Sequence, residues 1–400
     1  MQVGSASIED YNTVAIAEDF LDNIGDITGA NVKVFSVMTV TGTFTDGDAL
    51  TGQTSAATGT LIHVNKAGTQ AIIDDISGTF QAEVVQKTSD SAIKFTTTDT
   101  GDGVGMLVIN LHKTDGTYTD GGTTTLGGLT NESATRTWKI TVDSASRHTG
   151  MAGTGFVWDP GADVTNGSGV LSSTDTGSIM EWMEITGWEG AFSGGYHGIT
   201  CGSNLACVIQ YNIVHDDAET TTAATVRAIQ IFKNSTVTGN IIYNIGDECI
   251  IQIDGFGTAS IIEQNTCYNY DVDNGGAVGI TNSGVDSTGK TRNNIVISGA
   301  GSGNNISYDA DQTNGTNGCS QDNTICTATG DVTGLTTAIF VSTTNLHLVS
   351  GAGVIDTGTT ITGAAATDID GTTRTGTYDI GADEFVAAAD VGFSGIRRIR

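Results

Sequence analysis

Four hundred residues carry 45 acidic and 16 basic side chains, a formal charge of −29. That balance excludes a nucleic-acid partner, because phosphate neutralisation needs Lys and Arg, and it reads as a solvated, self-repelling surface. Fifty-five glycines against a single proline, with abundant Thr, Asn and Asp, exclude a helical bundle and point to many short strands joined by tight turns. No run is long and apolar enough to cross a bilayer, so no membrane insertion is expected.

In chain order, the spacing predicts one helix over 7–25, opened by Ser7 and Asp10, with Tyr11, Val14, Ala15, Phe20, Leu21 and Ile24 three and four residues apart. A short amphipathic helix there reads as a lid on the open end of a stacked fold. Met1 to Asp10 shows neither a basic region nor an apolar run, so no export signal is read. Val32, Val34 and Val37 read as a strand entering the first coil. Residues 38–105 break the pattern: short alternating runs such as Leu61-Ile62-His63-Val64 and Ala71-Ile72-Ile73 alternate with Gly-containing turns, predicting a small all-β insertion.

From residue 106 the chain becomes repetitive. Glu184-Ile185-Thr186, Asn212-Ile213-Val214, Asn240-Ile241-Ile242, Asn265-Thr266-Cys267 and Asn294-Ile295-Val296 align at offsets of 28, 28, 25 and 29 residues. A drifting period of this length marks a solenoid whose coils must stack to bury their apolar faces. Three strands per coil are expected. Alternation sets Ile229/Ile231, Ile251/Ile253 and Val278/Ile280 in inward columns, and the asparagines form an amide ladder at one corner. Ile213, Ile241 and Ile295 lie beside an inward column, so some must face out. An outward apolar stripe predicts a homo-oligomer, a trimer being the model.

These residues carry a resemblance. The segment Asn240-Ile-Ile-Tyr-Asn-Ile-Gly resembles the repeat of right-handed parallel β-helix proteins. The C-terminal runs 346–358, Asp368-Ile-Asp-Gly-Thr-Thr-Arg374 and Asp379-Ile-Gly-Ala-Asp-Glu384-Phe385 resemble the terminal motif of many of them. Such proteins occur among phage and prophage structural proteins and bacterial surface proteins, and the 42–59 stretch resembles short β modules of phage virion proteins. The resemblance implies an all-β fold: a right-handed parallel β-helix with an N-terminal capping helix and a small all-β insertion domain. The expected division is cap and first strand at 1–37, insertion at 38–105, β-helix at 106–340, its terminal motif at 341–386, and a tail at 387–400. The tail ends Ile396-Arg-Arg-Ile-Arg400, read either as a free end or as a plug for an acidic neighbour.

Chemistry is sought where coils cluster polar groups, immediately after the Asn-column strand: Trp188 and Glu189; His215, Asp216 and Asp217; Asp247 and Glu248; Tyr268, Tyr270 and Asp271. Coils stack about 4.8 Å apart, so acids on adjacent or alternate coils would stand about 5 or 10 Å apart. Those separations bracket the ones used by retaining and inverting glycosidases. Aromatic faces would stack on sugar rings, which makes these residues carbohydrate-binding candidates; none is assigned a catalytic role. A lyase would need calcium-binding acids beside a base, and Arg and Lys are sparse in the coils.

No EF-hand, HExxH or Walker pattern is present, and no metal or cofactor is expected. Asp368, Asp370, Asp379, Asp383 and Glu384 around Arg374 are expected to form an ion-pair knot at the C-terminal end rather than a metal site. Six cysteines are too few for a disulfide scaffold; Cys201/Cys207 and Cys319/Cys326 are close enough to bridge locally, but free thiols are expected, Cys249 and Cys267 as small core hydrophobes.

The leading functional expectation is a virion structural protein, a tail fibre, spike or head-decoration subunit. It would assemble in the host cytoplasm against other virion proteins, the shaft acting as a stiff spacer or as a recognition surface for a host surface glycan. The alternatives are a polysaccharide-degrading enzyme on the same scaffold and a bacterial surface adhesin.

Overall fold

The structure, a computed structural model, describes residues 2–3, 33–64, 68–99, 102–103, 107–113, 117–119, 122–127, 137–161, 164, 167–188, 195–202, 205–217, 225–253, 260–270, 279–282, 290–298, 319–320, 332–361 and 366–387. The expected helix over 7–25 and the basic tail lie outside them. Among the described residues the one helical element is a 3-10 turn, Thr337–Ile339.

The chain is a parallel β-helix. Three parallel sheets of eight, eight and six strands run along it, and each coil visits them in turn. One full circuit is Val208–Gln210 on the first face, Ile213–His215 on the second, Thr225–Ile231 on the third, and Thr236–Thr238 back on the first. The registers are fixed by side chains that must stay inside: Ile209 pairs with Val237 and then Ile262 on the first face, and Val214 with Ile242, Cys267 and Val296 on the second. All of these are buried. Strands of three to seven residues suffice because each extends a ladder already formed by its neighbours.

The asparagine ladder is present. The Asn240 side-chain oxygen accepts from the Asn212 backbone N–H at 2.9 Å and its Nδ2 at 3.1 Å; Asn265 repeats this for Asn240 and Asn294 for Asn265. Its first rung differs from the sequence alignment. Glu184 pairs with Ile213, not Asn212, and it is the Met183 N–H that meets the Asn212 oxygen at 3.1 Å. A second slip affects the third face, where Ile229 pairs with Ile250 and Ile250 with Ile280. Ile250 is therefore the inward residue and Ile251 is only half-buried. A one-residue slip exchanges the two faces of a strand, and coils of unequal turn length hide such slips from a count along the chain.

Residues flanking the ladder share another property. Trp182, Tyr211, Gly239, Gln264 and Asn293 all have positive φ, between 53° and 67°. This left-handed residue turns each coil from the first face to the second.

The insertion is a separate antiparallel sheet built from Lys33–Thr41 through Asp102–Gly103. Lys33–Thr41 pairs both with Gln70–Ser77 and with Asp90–Thr97, which closes six strands into a small barrel without free edges. Its interior holds Phe35, Leu50, Leu61, Ile73, Phe80, Val85 and Phe95. Val34 and Val37 thus belong to the barrel rather than to a strand entering the first coil. Val34, Ile62 and Ile72 pack against the shaft's apolar core and dock the barrel on it.

Two further expectations are corrected. Cys201–Cys207 and Cys249–Cys267 are disulfide-bonded rather than free, the second tying one coil to the next inside the shaft. The outward isoleucines Ile213, Ile241 and Ile295 are buried, at 0%, 1% and 0% exposure. The C-terminal segment 346–385 folds back over the shaft and lies against the second face. The Gly381 N–H donates to the Asn293 carbonyl at 2.8 Å, and the Ala382 N–H to Thr266 Oγ1 at 3.0 Å. A Cβ on Gly381 (φ +107°) would stand 2.6 Å from Ile295 Cδ1, so only glycine permits this approach. The stripe on which the oligomer expectation rested is covered by the chain's own end.

Candidate functional site

The candidate residues do not line one groove. Trp188 and Tyr270 are fully buried core side chains; the Trp188 ring lies against Gly198 and the Tyr270 ring against Gly279. Tyr268 is half-buried and packs edge-on against Phe340 at 6.1 Å. Glu189 and Asp271 lie outside the described residues. No sugar-stacking platform is formed by the three aromatics.

The acids are tied to neighbouring coils. Asp217 accepts from the Gly246 N–H at 2.7 Å, and Asp247 from the Val226 N–H at 2.6 Å. Glu248 takes a hydrogen bond from Arg227 Nε at 2.9 Å, while Arg227 Nη1 reaches Gln230 at 3.0 Å. Each carboxylate caps an otherwise unpaired backbone donor of the next turn or neutralises a cation, the usual fate of polar groups where coils change direction.

His215 is the centre of a compact polar network. Its Nε2 lies 3.0 Å from Glu184 Oε1 and its Nδ1 2.8 Å from Asp216 Oδ2, and its ring stacks on Tyr243 at 4.7 Å. Glu184 accepts from the Gly153 N–H at 2.6 Å. Asp216 receives Asn244 Nδ2, and Asn244 Oδ1 receives Asn269 Nδ2 at 2.6 Å. Asp216, Asn244 and Asn269 share positive φ of 50°, 55° and 53°. They form a second, outer amide-and-carboxylate ladder, with His215 in register with Tyr243 and Tyr268. Asn and Asp tolerate the left-handed turn and stack well, which was the available signal in the sequence.

Electrostatics agree with a structural network. Burial opposes charge on His215, but its hydrogen bonds to Asp216 and Glu184 outweigh that and raise its pKa. Burial likewise pushes the Asp216 carboxyl up, and the bonds to His215 and Asn244 more than reverse it. A general acid needs a carboxyl raised toward neutrality. Among the described residues the raised carboxyls are Asp368, at about 6 through burial, and Asp379 and Asp383, all in the C-terminal segment.

That segment holds the Arg374 knot. The guanidinium donates to Glu384 at 3.0 Å and to the carbonyls of Asp383, Gly381 and Ala382 at 3.1, 2.9 and 2.7 Å. Asp379 instead accepts from the N–H groups of Asp356 and Phe385, and Asp368 from those of Asp370 and Thr372. The knot lies along the side of the shaft. It holds the cover's own turns, with one ion pair instead of the expected set.

No family model matches this chain, and neither does any curated protein. Among solved structures it is similar to the crystal structure of pectate lyase Pel9A, at 15% identity over 69% of this chain and 87% of that one, with a TM-score of 0.33. A likeness that slight carries no argument about activity. The parallel β-helix stands on the strand registers.

Proposed function

We propose that this chain is a structural display shaft that presents its barrel module outside the cell, and that it does no chemistry on polysaccharides. The observation that carries this reading is the engagement of Asp217, Asp247, Glu248, Asp216 and Glu184 in contacts from one coil to another. A hydrolase needs a carboxyl poised to donate a proton and a second facing it across open space. Here the same groups stiffen the wall. Short coils, laddered amides and a self-covered flank suit a rod that must keep its shape among proteases and detergents.

The setting that the sequence resemblance implies is a virion: a tail fibre, spike or head-decoration subunit. A cell-surface adhesin is the second reading, and the two disulfides favour it, because buried bridges form where folding takes place in an oxidising compartment rather than in a host cytosol.

The test of the shaft reading is a panel of bacterial polysaccharides incubated with the protein and assayed for new reducing ends and unsaturated uronates. No product is expected. Turnover that disappears in Glu248→Gln or Asp217→Asn would overturn the reading. Antibody labelling of the source culture separates the settings: label on released particles supports the virion, label on cell envelopes the adhesin.

A further inference from the structure

We propose that His347, Asp370 and Asp383 form a divalent transition-metal site that ties together the turns of the C-terminal cover. One donor atom from each lies within 4.8 Å of the other two, close to the separation of at most ~4.4 Å that two ligands of one ion at about 2.2 Å can have. His347 Nε2 and Asp370 Oδ1 are 3.0 Å apart. One imidazole and two carboxylates suit Zn²⁺ or Mn²⁺; Ca²⁺ would take oxygen donors alone.

Three features of the surroundings separate this group from an ordinary acidic patch. The other imidazole nitrogen, Nδ1, faces Asn345 Oδ1. Donating its hydrogen there leaves the Nε2 lone pair aimed at the carboxylates, the outer hydrogen bond characteristic of metal-bound histidine. Asp383 is 5% exposed and is oriented by the Leu348 N–H at 2.7 Å. The loop facing the group is Gly150 (φ +68°), where a Cβ would stand 2.5 Å from His347 Nε2 and 2.7 Å from Asp370 Oδ1. Only glycine lets the shaft backbone come this close to both side chains.

Charge completes the argument. Arg374 would be the natural counter-ion for these aspartates, yet its four hydrogen bonds go to Glu384 and to the carbonyls of residues 381–383. A bound dication would neutralise the two carboxylates and cross-link residues 347, 370 and 383, three separate turns of the cover.

The experiment titrates ZnCl₂ and MnCl₂ into the chelator-treated full chain by calorimetry, with Co²⁺ absorption as a second readout. One ion per chain is expected, a thermal midpoint that rises with metal concentration, and visible bands of nitrogen and oxygen ligation in the Co²⁺ form. Asp370→Asn, whose side chain is bonded to His347 at the rim, should weaken binding at least tenfold while the far-UV spectrum stays unchanged. His347→Gln and Asp383→Asn should do the same, and Asp143→Asn, beside His112, should have no effect. Absence of stoichiometric binding overturns the proposal. So does binding that all three variants retain, which would mark an adventitious ion only.

Discussion

Replacing Asn240 by Ala tests the amide ladder where it is fully enclosed. The Asn240 oxygen accepts from the Asn212 backbone and side chain, and its nitrogen donates to the Ile209 carbonyl at 3.0 Å, the Thr238 carbonyl at 3.2 Å and Asn265 at 2.9 Å. The residue is 0% exposed. Some partners keep other bonds: Asn212 Nδ2 still reaches the Met180 carbonyl, and Asn265 Oδ1 still takes the residue-240 N–H. The Asn212 N–H loses its acceptor and the Ile209 carbonyl its side-chain donor. Two buried groups at about 1–3 kcal/mol each, plus a small void, give a loss of about 3–5 kcal/mol. The matched control is Asn244→Ala in the outer ladder, half exposed, where water replaces the lost partners and the cost is below about 1 kcal/mol. Urea unfolding followed by circular dichroism measures the difference. Hydrogen exchange localises it, with the Asn212 amide losing protection. Equal costs for the two variants, or an Asn240 loss under about 1 kcal/mol, would refute the reasoning.

The Cys249–Cys267 bridge spans 18 residues, so converting both cysteines to Ala should cost about 3 kcal/mol by loop entropy, and thiol counting on denatured protein without reductant should find those four cysteines unreactive. A full complement of six reactive thiols would remove both the bridges and the adhesin reading. For His215, the folded pKa is raised, so its contribution is complete below the unfolded value near 6.5 and is lost as pH rises through the folded value. His148, lowered to about 4 by burial, acts oppositely: the unfolded chain protonates first, so stability falls as pH drops from about 6.5 toward 4. Unfolding midpoints should therefore show an alkaline-side decline that becomes shallower in His215→Gln. An unchanged slope in that variant would mean the imidazole is not held between charges.

The shaft was legible in the sequence because its determinants repeat. Asn, Val and Ile at near-constant intervals specify the ladder and the inward columns without knowledge of what lies beside them. The rungs at which the reading slipped, Glu184 and Ile251, are those where a coil changes length or residue type. There the register is set by which side chain fits inside, a property of neighbouring coils. The barrel was visible as a broken period, but its first strand was not, because Val34 and Val37 alternate equally well for either sheet. Cys201 and Cys207 are near enough in sequence to bridge locally, but Cys249 and Cys267, 18 residues apart, look unrelated until the three faces bring them together.

The candidate site failed for a more general reason. A turn in a parallel solenoid exposes backbone N–H groups on every coil, and Asp, Glu and Asn beside the turn are the cheapest acceptors for them. Stacking then multiplies any such choice into a vertical file of acids, which along the sequence cannot be told from a catalytic constellation. What separates the two is whether a carboxyl has a remaining free face and a raised pKa. His215 and Asp216 have each other, Asp217 and Asp247 have backbone amides, and Glu248 has Arg227. The same criterion directs attention to the cover, where burial raises the pKa of Asp368, Asp379 and Asp383 and where Asp383 stands beside His347 and Asp370.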